Sequence, residues 1–456
     1  MNQKAHTEML GTLPIGKLLA RLAIPTSVAL LVTSTYNLVD AVFVGRGVGP
    51  EAIGALTIVH PFQILVMAFG NLIAIGAASI VSRALGAQDP DRAARAAGNA
   101  FGFAVVTGLV ISIAGTLFLR PLIRGLGAEG ILLQPATEYF AIILWVEPIL
   151  LLNLTANSLI RAEGQARVAM ATMIVGMVIN IALDPLFIFV FEWGVRGAAI
   201  ATLIGRLSTT VLIVAYFARD RSSLKVRFGD LRPDRGILKE TVSVGTSGFV
   251  RQAGTSFAAT LRNNLLVVYG GSMYLSAFGA VFRIILFFGM PGMGIAQAVQ
   301  PMAGYNYGAG DLDRVRKSVW FSIGVCTAFM ALGFVLIQLF PAQLLRLFSS
   351  DSRMVAEGVE IVRISAYLFL TFPAYIIGPS FYQAIGKPAR ALLLSLTRPL
   401  VGAAVMIVGV RLVGVTGVVI ADPVAVTAAA LFAVFYLKAS LGSLTPPKQL
   451  SPDAAG

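Results

Sequence analysis

Twelve stretches of this chain are apolar over at least ~18 residues, the length an α-helix needs to cross the hydrocarbon of a bilayer. They fall at roughly 16–44, 53–81, 97–119, 136–160, 168–191, 197–218, 242–269, 276–301, 318–340, 359–385, 389–410 and 414–437. Backbone polar groups find no water in the bilayer core, so segments of this kind span it as helices. The expected fold is all-α: a polytopic membrane protein with 12 transmembrane helices. Composition agrees, with 12% charged residues in 456 against about 25% in soluble domains. The opening MNQKAHTEML is polar and shows no cleavable signal, so helix 1 is expected to insert the chain.

The net charge of +13 invites a nucleic-acid partner, but the positions of the charges refuse one. With both termini cytoplasmic, the inner segments hold 22 Lys and Arg and the outer loops hold 7. That asymmetry is the positive-inside pattern of a multi-pass protein in a prokaryotic cell membrane. Some attraction to anionic membrane lipid is also expected. The single Cys326 excludes an internal disulfide and a thiolate cluster, and two histidines, His6 and His60, argue against an imidazole metal site. No base, nucleophile and metal set appears on the inner loops, so the chain reads as a non-enzyme without a cofactor.

Gly176 to Arg206 reads as two apolar helices joined by a tight turn at Glu192–Gly197. Asp184 interrupts the first of them and Pro185 follows it. A carboxylate within a membrane helix is costly and is a functional-site candidate by default. Pro185 leaves the Ile181 carbonyl without its helical donor, and Asn180 shares the face of Asp184. Counted from Trp193, Asp184 and Thr202 lie at equal depth, about 13 Å below the turn. These oxygens suit a hard cation or a proton. Asp40, about one turn from the outer end of helix 1, is a second acid, with Tyr36 one turn before it. In helix 4, Glu147-Pro148 precedes Asn153 and Asn157 on one face; these amides line either a cavity or a helix contact. Tyr139 reads on its own as an interfacial aromatic.

The chain repeats itself. Gly86, Ala87, Asp89, Asp91 and Arg92 are answered by Gly308, Ala309, Asp311, Asp313 and Arg314, a shift of 222. GVRGAAIAT at Gly194 is answered by GVTGVVIAD at Gly414, a shift of 220, and Arg161-Ala-Glu-Gly164 by Gln383-Ala-Ile-Gly386. The matches imply two pseudo-symmetric six-helix bundles, residues 1–218 and 241–438. A basic linker at 219–240 joins them along the cytoplasmic surface, and a flexible tail follows at 439–456. Parallel repeats of this kind are a transporter signature. Gly98 and Gly102 read as a helix-packing pair. The same shifts carry Asp40 to Arg262 and Thr202 to Asp422, so these two are expected to form a structural ion pair. The alternative is that Arg262 faces the central cavity and attracts anions. At the 220 shift, Asn180 and Asp184 map to Leu400 and Ala404, an apolar remainder.

With Asp40, the run Asn-Ile-Ala-Leu-Asp-Pro at 180–185, the Gly-rich opening of helix 6 and the two halves on the page, the chain resembles the multidrug and toxic compound extrusion (MATE) family. Within it the likeness is to archaeal and bacterial exporters with paired aspartates in the N-terminal bundle. The resemblance covers all but the tail. It implies a V-shaped pair of bundles, alternating access, and export of amphipathic small molecules driven by sodium or proton influx. It also implies a coupling network at Asp40, Tyr139, Asn180, Asp184 and Thr202, with sodium as one candidate ion at Asp40, Asn180, Asp184 and Thr202. Tyr36 and Asn157 are implied to line the cavity; Asn153, on the Asn157 face, joins them as a candidate substrate contact. One departure stands out. Helix 7 lacks the intramembrane acids of another branch, and the second half carries Arg251, Arg262, Arg283 and Arg398 instead. That departure sets the usual preference for cationic drugs in question. The other functional reading is a flippase for an anionic lipid-linked substrate, and the chain is expected to act as a monomer.

Overall fold

Each apolar run becomes a helix whose ends fall where proline, glycine or a capping carboxylate stops it. The computed structural model of the protein describes residues 3–219, 221–348 and 351–446, and every regular element among them is helical. The first half comprises α1 (Ile15–Gly47), α2 (Pro50–Gly86), α3 (Pro90–Leu117), α4 (Leu133–Ala162), α5 (Ala166–Pro185) and α6 (Gly194–Ala218). In the second half, α7 (235–270) and α8 (272–308) are helical up to a break at Gly271, where φ is 75° and ψ is −178°. α9 is Leu312–Leu339, α11 is Pro388–Val413 and α12 is Val415–Gly442. The helix expected at 359–385 is α10, two segments, Ser352–Ala366 and Leu368–Ala384, bent by 46°.

Ten of these helices are long and apolar enough to cross a membrane, and the bent pair of α10 makes an eleventh. The twelfth is α7, which Arg251, Gln252, Arg262, Asn263 and Asn264 make more polar than the rest. Large apolar side chains such as Leu117, Val211, Val268 and Phe435 stand exposed, as a lipid-facing surface requires. α12 runs on to Gly442, past the expected start of the tail, and the tail from 447 lies outside the described residues.

The repeat has a physical meaning at each of its turns. Asp89 caps α3 by accepting from the Arg92 N–H at 2.9 Å, and Asp311 caps α9 by accepting from the Arg314 N–H at 2.9 Å. The residue before each cap is left-handed: Gln88 with φ 59° and Gly310 with φ 77°. The turns at Gly164 and Gly386, and at Gly194 and Gly414, are likewise left-handed pairs.

The halves meet along α2, which packs extensively on α7 and α8. A Cβ on Gly86 would lie 1.9 Å from the Tyr305 carbonyl oxygen, and one on Gly308 would lie 2.0 Å from that of Arg83. Tyr305 is Arg83 shifted by 222, so the contact obeys the repeat symmetry. Ser79 donates to the Gln383 carbonyl, Gln300 to the Ile75 carbonyl at 2.9 Å, and Arg83 pairs with Glu240 at 2.7 Å. The two bundles are therefore closed on each other at the end that carries the linker. A bulky residue at this crossing should open it. Ser82→Cys, at a buried position against Gly304, should resist thiol reagents in the otherwise native chain and react in the Gly308→Val background. Equal protection in both backgrounds would show that the crossing does not depend on Gly308.

Candidate functional site

The first site forms where α1 and α5 bring their acids together. Gly205 of α6 packs on the Gly176 carbonyl of α5, where a Cβ would come within 2.7 Å, and the Asn180 side chain lies directly beyond. One turn further, Asn180 Nδ2 donates to Asp184 Oδ1 at 3.5 Å. Past Pro185 the helix widens into a π turn, Leu186–Val190, a distortion that recurs at functional sites. Asp184 is fully buried, and the Asp40 carboxyl group lies near enough to act on it electrostatically.

Three acceptor oxygens in this cluster are buried without a hydrogen-bond partner: Asp40 Oδ1, Asn180 Oδ1 and Asp184 Oδ2. Buried acceptors of this kind need a donor, an ion or an ordered water. Among the described residues no three His, Cys, Asp or Glu side chains converge as a metal site.

The flanking residues sort differently from expectation. Thr202 Oγ1 donates to the Ala198 carbonyl at 3.0 Å and lies close to Tyr36, so it flanks the site from α6. Tyr139 is buried, 7% exposed, and lies close to Gln63. It sits inside the bundle near Asp40, and the interfacial reading of its position does not hold. The amides resolve as helix contacts. Asn153 Nδ2 donates to the Arg206 carbonyl at 2.9 Å and its Oδ1 accepts from Thr210 at 3.0 Å. Asn157 Nδ2 donates to the Asn153 carbonyl at 2.9 Å and its Oδ1 accepts from Thr172 at 3.1 Å. Glu147 is buried as well, with Oε2 unpartnered, in the field of Arg206.

The second bundle holds charge at the equivalent place. Arg262 NH1 donates to Asp422 Oδ2 at 2.7 Å, joining α7 to α12. α11 adds a third member: Arg398 NH2 donates to Asp422 Oδ1 at 3.2 Å and its NH1 to the Tyr375 hydroxyl of α10 at 3.4 Å. The apolar remainder expected from Leu400 and Ala404 is a correction. Those side chains are exposed, and the inward stripe of α11 runs through the half-buried Arg398 and the buried Gly402 and Met406. These match Gly176, Asn180 and Asp184 at a shift of 222. The two residues of difference are taken up between α5 and α6, where the π turn lies. Arg398-Pro399 repeats the charge-then-proline pattern of Glu147-Pro148, Asp184-Pro185 and Asp422-Pro423, a signal that marks it in the sequence.

The family model MatE matches residues 25–186 and 255–408. The chain belongs to the MatE family. It is a member of a family of multidrug efflux transporters, and not an enzyme. The multidrug export protein MepA of Staphylococcus aureus (strain MRSA252) is 25% identical over 408 residues, covering 89% of this chain and 90% of its own. A crystal structure of MATE in complex with MaL6 superimposes with a TM-score of 0.91 at 26% identity, covering 96% of this chain and 98% of that one. A structure described as the outward-facing conformation of a multidrug resistance MATE family transporter gives 0.90 at 26% identity, covering 95% and 98%.

This MatE transporter also holds its linker by residues that its motifs did not reveal. Gly98, expected in a helix contact, faces the linker, where a Cβ would meet the Asp230 carbonyl oxygen at 2.5 Å. Asn99 Nδ2 donates to the Asp230 and Arg232 carbonyls at 3.0 Å each. Glu163, at the end of α4, accepts from the Ser222 hydroxyl at 2.7 Å and the Ser223 N–H at 2.6 Å. The segment is thus docked, not a free spacer that only sets topology, and α7 already begins at Arg235. At its far end Glu240 bridges Arg83 and Arg92. Burial opposes the charge on Glu240, but the two guanidiniums hold its carboxyl below the ordinary range.

Burial pushes the Glu163 carboxyl up from 4.5 to about 7, against the hydrogen bonds it accepts. The folded chain therefore holds this proton more tightly than the unfolded one. The stabilisation is complete below about 4.5 and is lost as pH rises through about 7. Thermal midpoints should accordingly fall between about pH 5 and 8, and Glu163→Gln should flatten that slope. Parallel slopes for the two proteins would exclude Glu163 as the titrating group.

Proposed function

We propose that this transporter exports amphipathic small organic molecules by alternating access, driven by inward flow of sodium or protons through the Asp40–Asp184 site. The observation that carries the reading is the set of unpartnered buried oxygens on Asp40, Asn180 and Asp184. An exchangeable ion has a place there that the resident side chains leave unfilled. The name of the MepA relative, a multidrug export protein, supports the same direction. Tyr36 lies between this site and Thr202 of α6, and is the residue we assign to the substrate side. Asn153 and Asn157 then act by holding α4 against α5 and α6.

Binding of a cation or proton neutralises charge in the core of the first bundle. That changes which packing of α1 and α5 is favoured, and a few kcal/mol of differential binding shifts a two-state population almost completely. Pro25 in α1 and the π turn after Pro185 supply flexible points on the two helices that hold the acids. With the linker on the cytoplasmic side, as the charge asymmetry requires, the closed linker end makes this the outward-facing state. Both termini are then cytoplasmic in a prokaryotic cell membrane, and the working unit is a monomer in lipid.

The Arg262–Asp422–Arg398 cluster favours a second reading, a flippase for an anionic lipid-linked substrate, because guanidinium forks suit phosphate and carboxylate. Dye efflux from proteoliposomes under a sodium or a pH gradient, each imposed alone, set against a lipid-flipping assay in the same vesicles, separates the readings. Asp184→Asn should abolish gradient-driven efflux while the protein remains folded. Efflux at the native rate from a well-folded Asp184→Asn protein would remove the residue from coupling.

A further inference from the structure

In the second bundle two guanidiniums share one carboxylate. Asp422 gives Oδ2 to Arg262 and Oδ1 to Arg398, so each of its oxygens is engaged by a different fork. The cluster keeps a formal charge of +1. It stands where five helices meet: Arg262 on α7, Phe278 and Phe282 on α8, Tyr375 on α10, Arg398 on α11 and Asp422 on α12. Arg262 is 7% exposed and its Nε is buried without a partner. Its guanidinium lies 4.5 Å from the centre of the Phe278 ring and 5.6 Å from that of Phe282. The ring faces absorb part of the charge but carry none of the opposite sign.

A purely structural pair would need one arginine for one aspartate, as the repeat symmetry alone suggested. The second arginine leaves an excess positive charge in a position where unpaired charge is expensive. The Arg398 side chain is 25% exposed, so the excess charge remains reachable from outside the cluster. The first bundle has two carboxyl groups at the corresponding place. The two halves thus present opposite polarity.

We propose that the Arg262–Arg398 pair is an anion subsite for the substrate, taking the phosphate or carboxylate head of an amphiphile whose apolar tail lies along the bundle. Asp422 positions both guanidiniums and competes with the incoming anion for them. Tyr375 holds Arg398 at the correct angle through its hydroxyl. The proposal rests on the exporter reading for the ligand's role as cargo, but binding at the subsite does not depend on ion coupling.

The test is equilibrium binding to the full chain in nonionic micelles with no ion gradient. The probes are decyl phosphate, decyltrimethylammonium and inorganic phosphate. Decyl phosphate should bind at least about tenfold more tightly than the cation of equal tail length. Arg398→Gln should weaken decyl phosphate by about tenfold, whereas Asp422→Asn, which removes the competing carboxylate, should strengthen it by about threefold. A structural role for the cluster predicts loss in both variants. If Asp422→Asn is not recovered folded, Arg398→Lys decides, because a retained point charge should limit the loss to about threefold. Equal binding of the two decyl probes, or weaker binding in Asp422→Asn, overturns the subsite. Inorganic phosphate binding as tightly as decyl phosphate overturns the amphiphile and assigns the site to a free anion. Charge-selective binding without gradient-driven export would reject the exporter and leave the subsite standing.

Discussion

Charge is expensive in hydrocarbon, and the architecture of this transporter is arranged around the places where it is nevertheless kept. The first bundle keeps carboxyl groups, Asp40 against Asp184, with their remaining oxygens unfilled. The second keeps an aspartate saturated by two arginines. Both clusters lie where several helices converge, so the protein supplies the polar surroundings that lipid cannot. The first cluster has buried acceptors without donors, and the second has more donors than acceptors. One duplicated scaffold carries both, because the positions inherited from the repeat were filled with opposite charge.

The same duplication explains how the halves meet. Gly86 and Gly308 bring α2 and α8 together backbone to backbone at the linker end, where no side chain could fit. Hydrogen bonds and the Arg83–Glu240–Arg92 bridge surround that crossing with polar groups. Contacts of this kind hold one state and break with little loss when water replaces them, which suits a gate better than an apolar seam would. The linker is part of the same assembly. Glu163 and Asn99 bind its backbone, so a change at the α4–α5 turn is felt by the segment that joins the bundles.

Much of this was legible in the sequence. Membrane helices satisfy their own backbone, so apolar length alone locates them, and even the polar α7 showed its apolar run. The duplicated turns were visible because left-handed positions and capping aspartates demand particular residues. Asp184 was visible because a buried acid followed by proline is rare in such a helix. Arg262 and Asp422 could be paired by arithmetic on the repeat. Arg398 escaped that arithmetic because one shift was carried across α11, whereas the π turn after α5 absorbs two residues that the second half lacks.

What the sequence by itself determined is the all-helical, duplicated membrane fold and the identity of its intramembrane charges. These follow from local requirements: hydrocarbon length, turn geometry and the cost of burying an ion. Which of those charges touch is decided only by the tertiary structure. The direction of a side chain depends on helix rotation and crossing, and a shift of about one or two residues moves it from one face of a helix to another. Hence Tyr139 belongs inside the bundle, Asn153 and Asn157 are spent on helix contacts, and Arg398 joins Asp422. The docking of the linker was hidden for the same reason. Its partners, Glu163 and Asn99, lie some 60 and 130 residues away along the chain, and nothing in the local sequence records that approach.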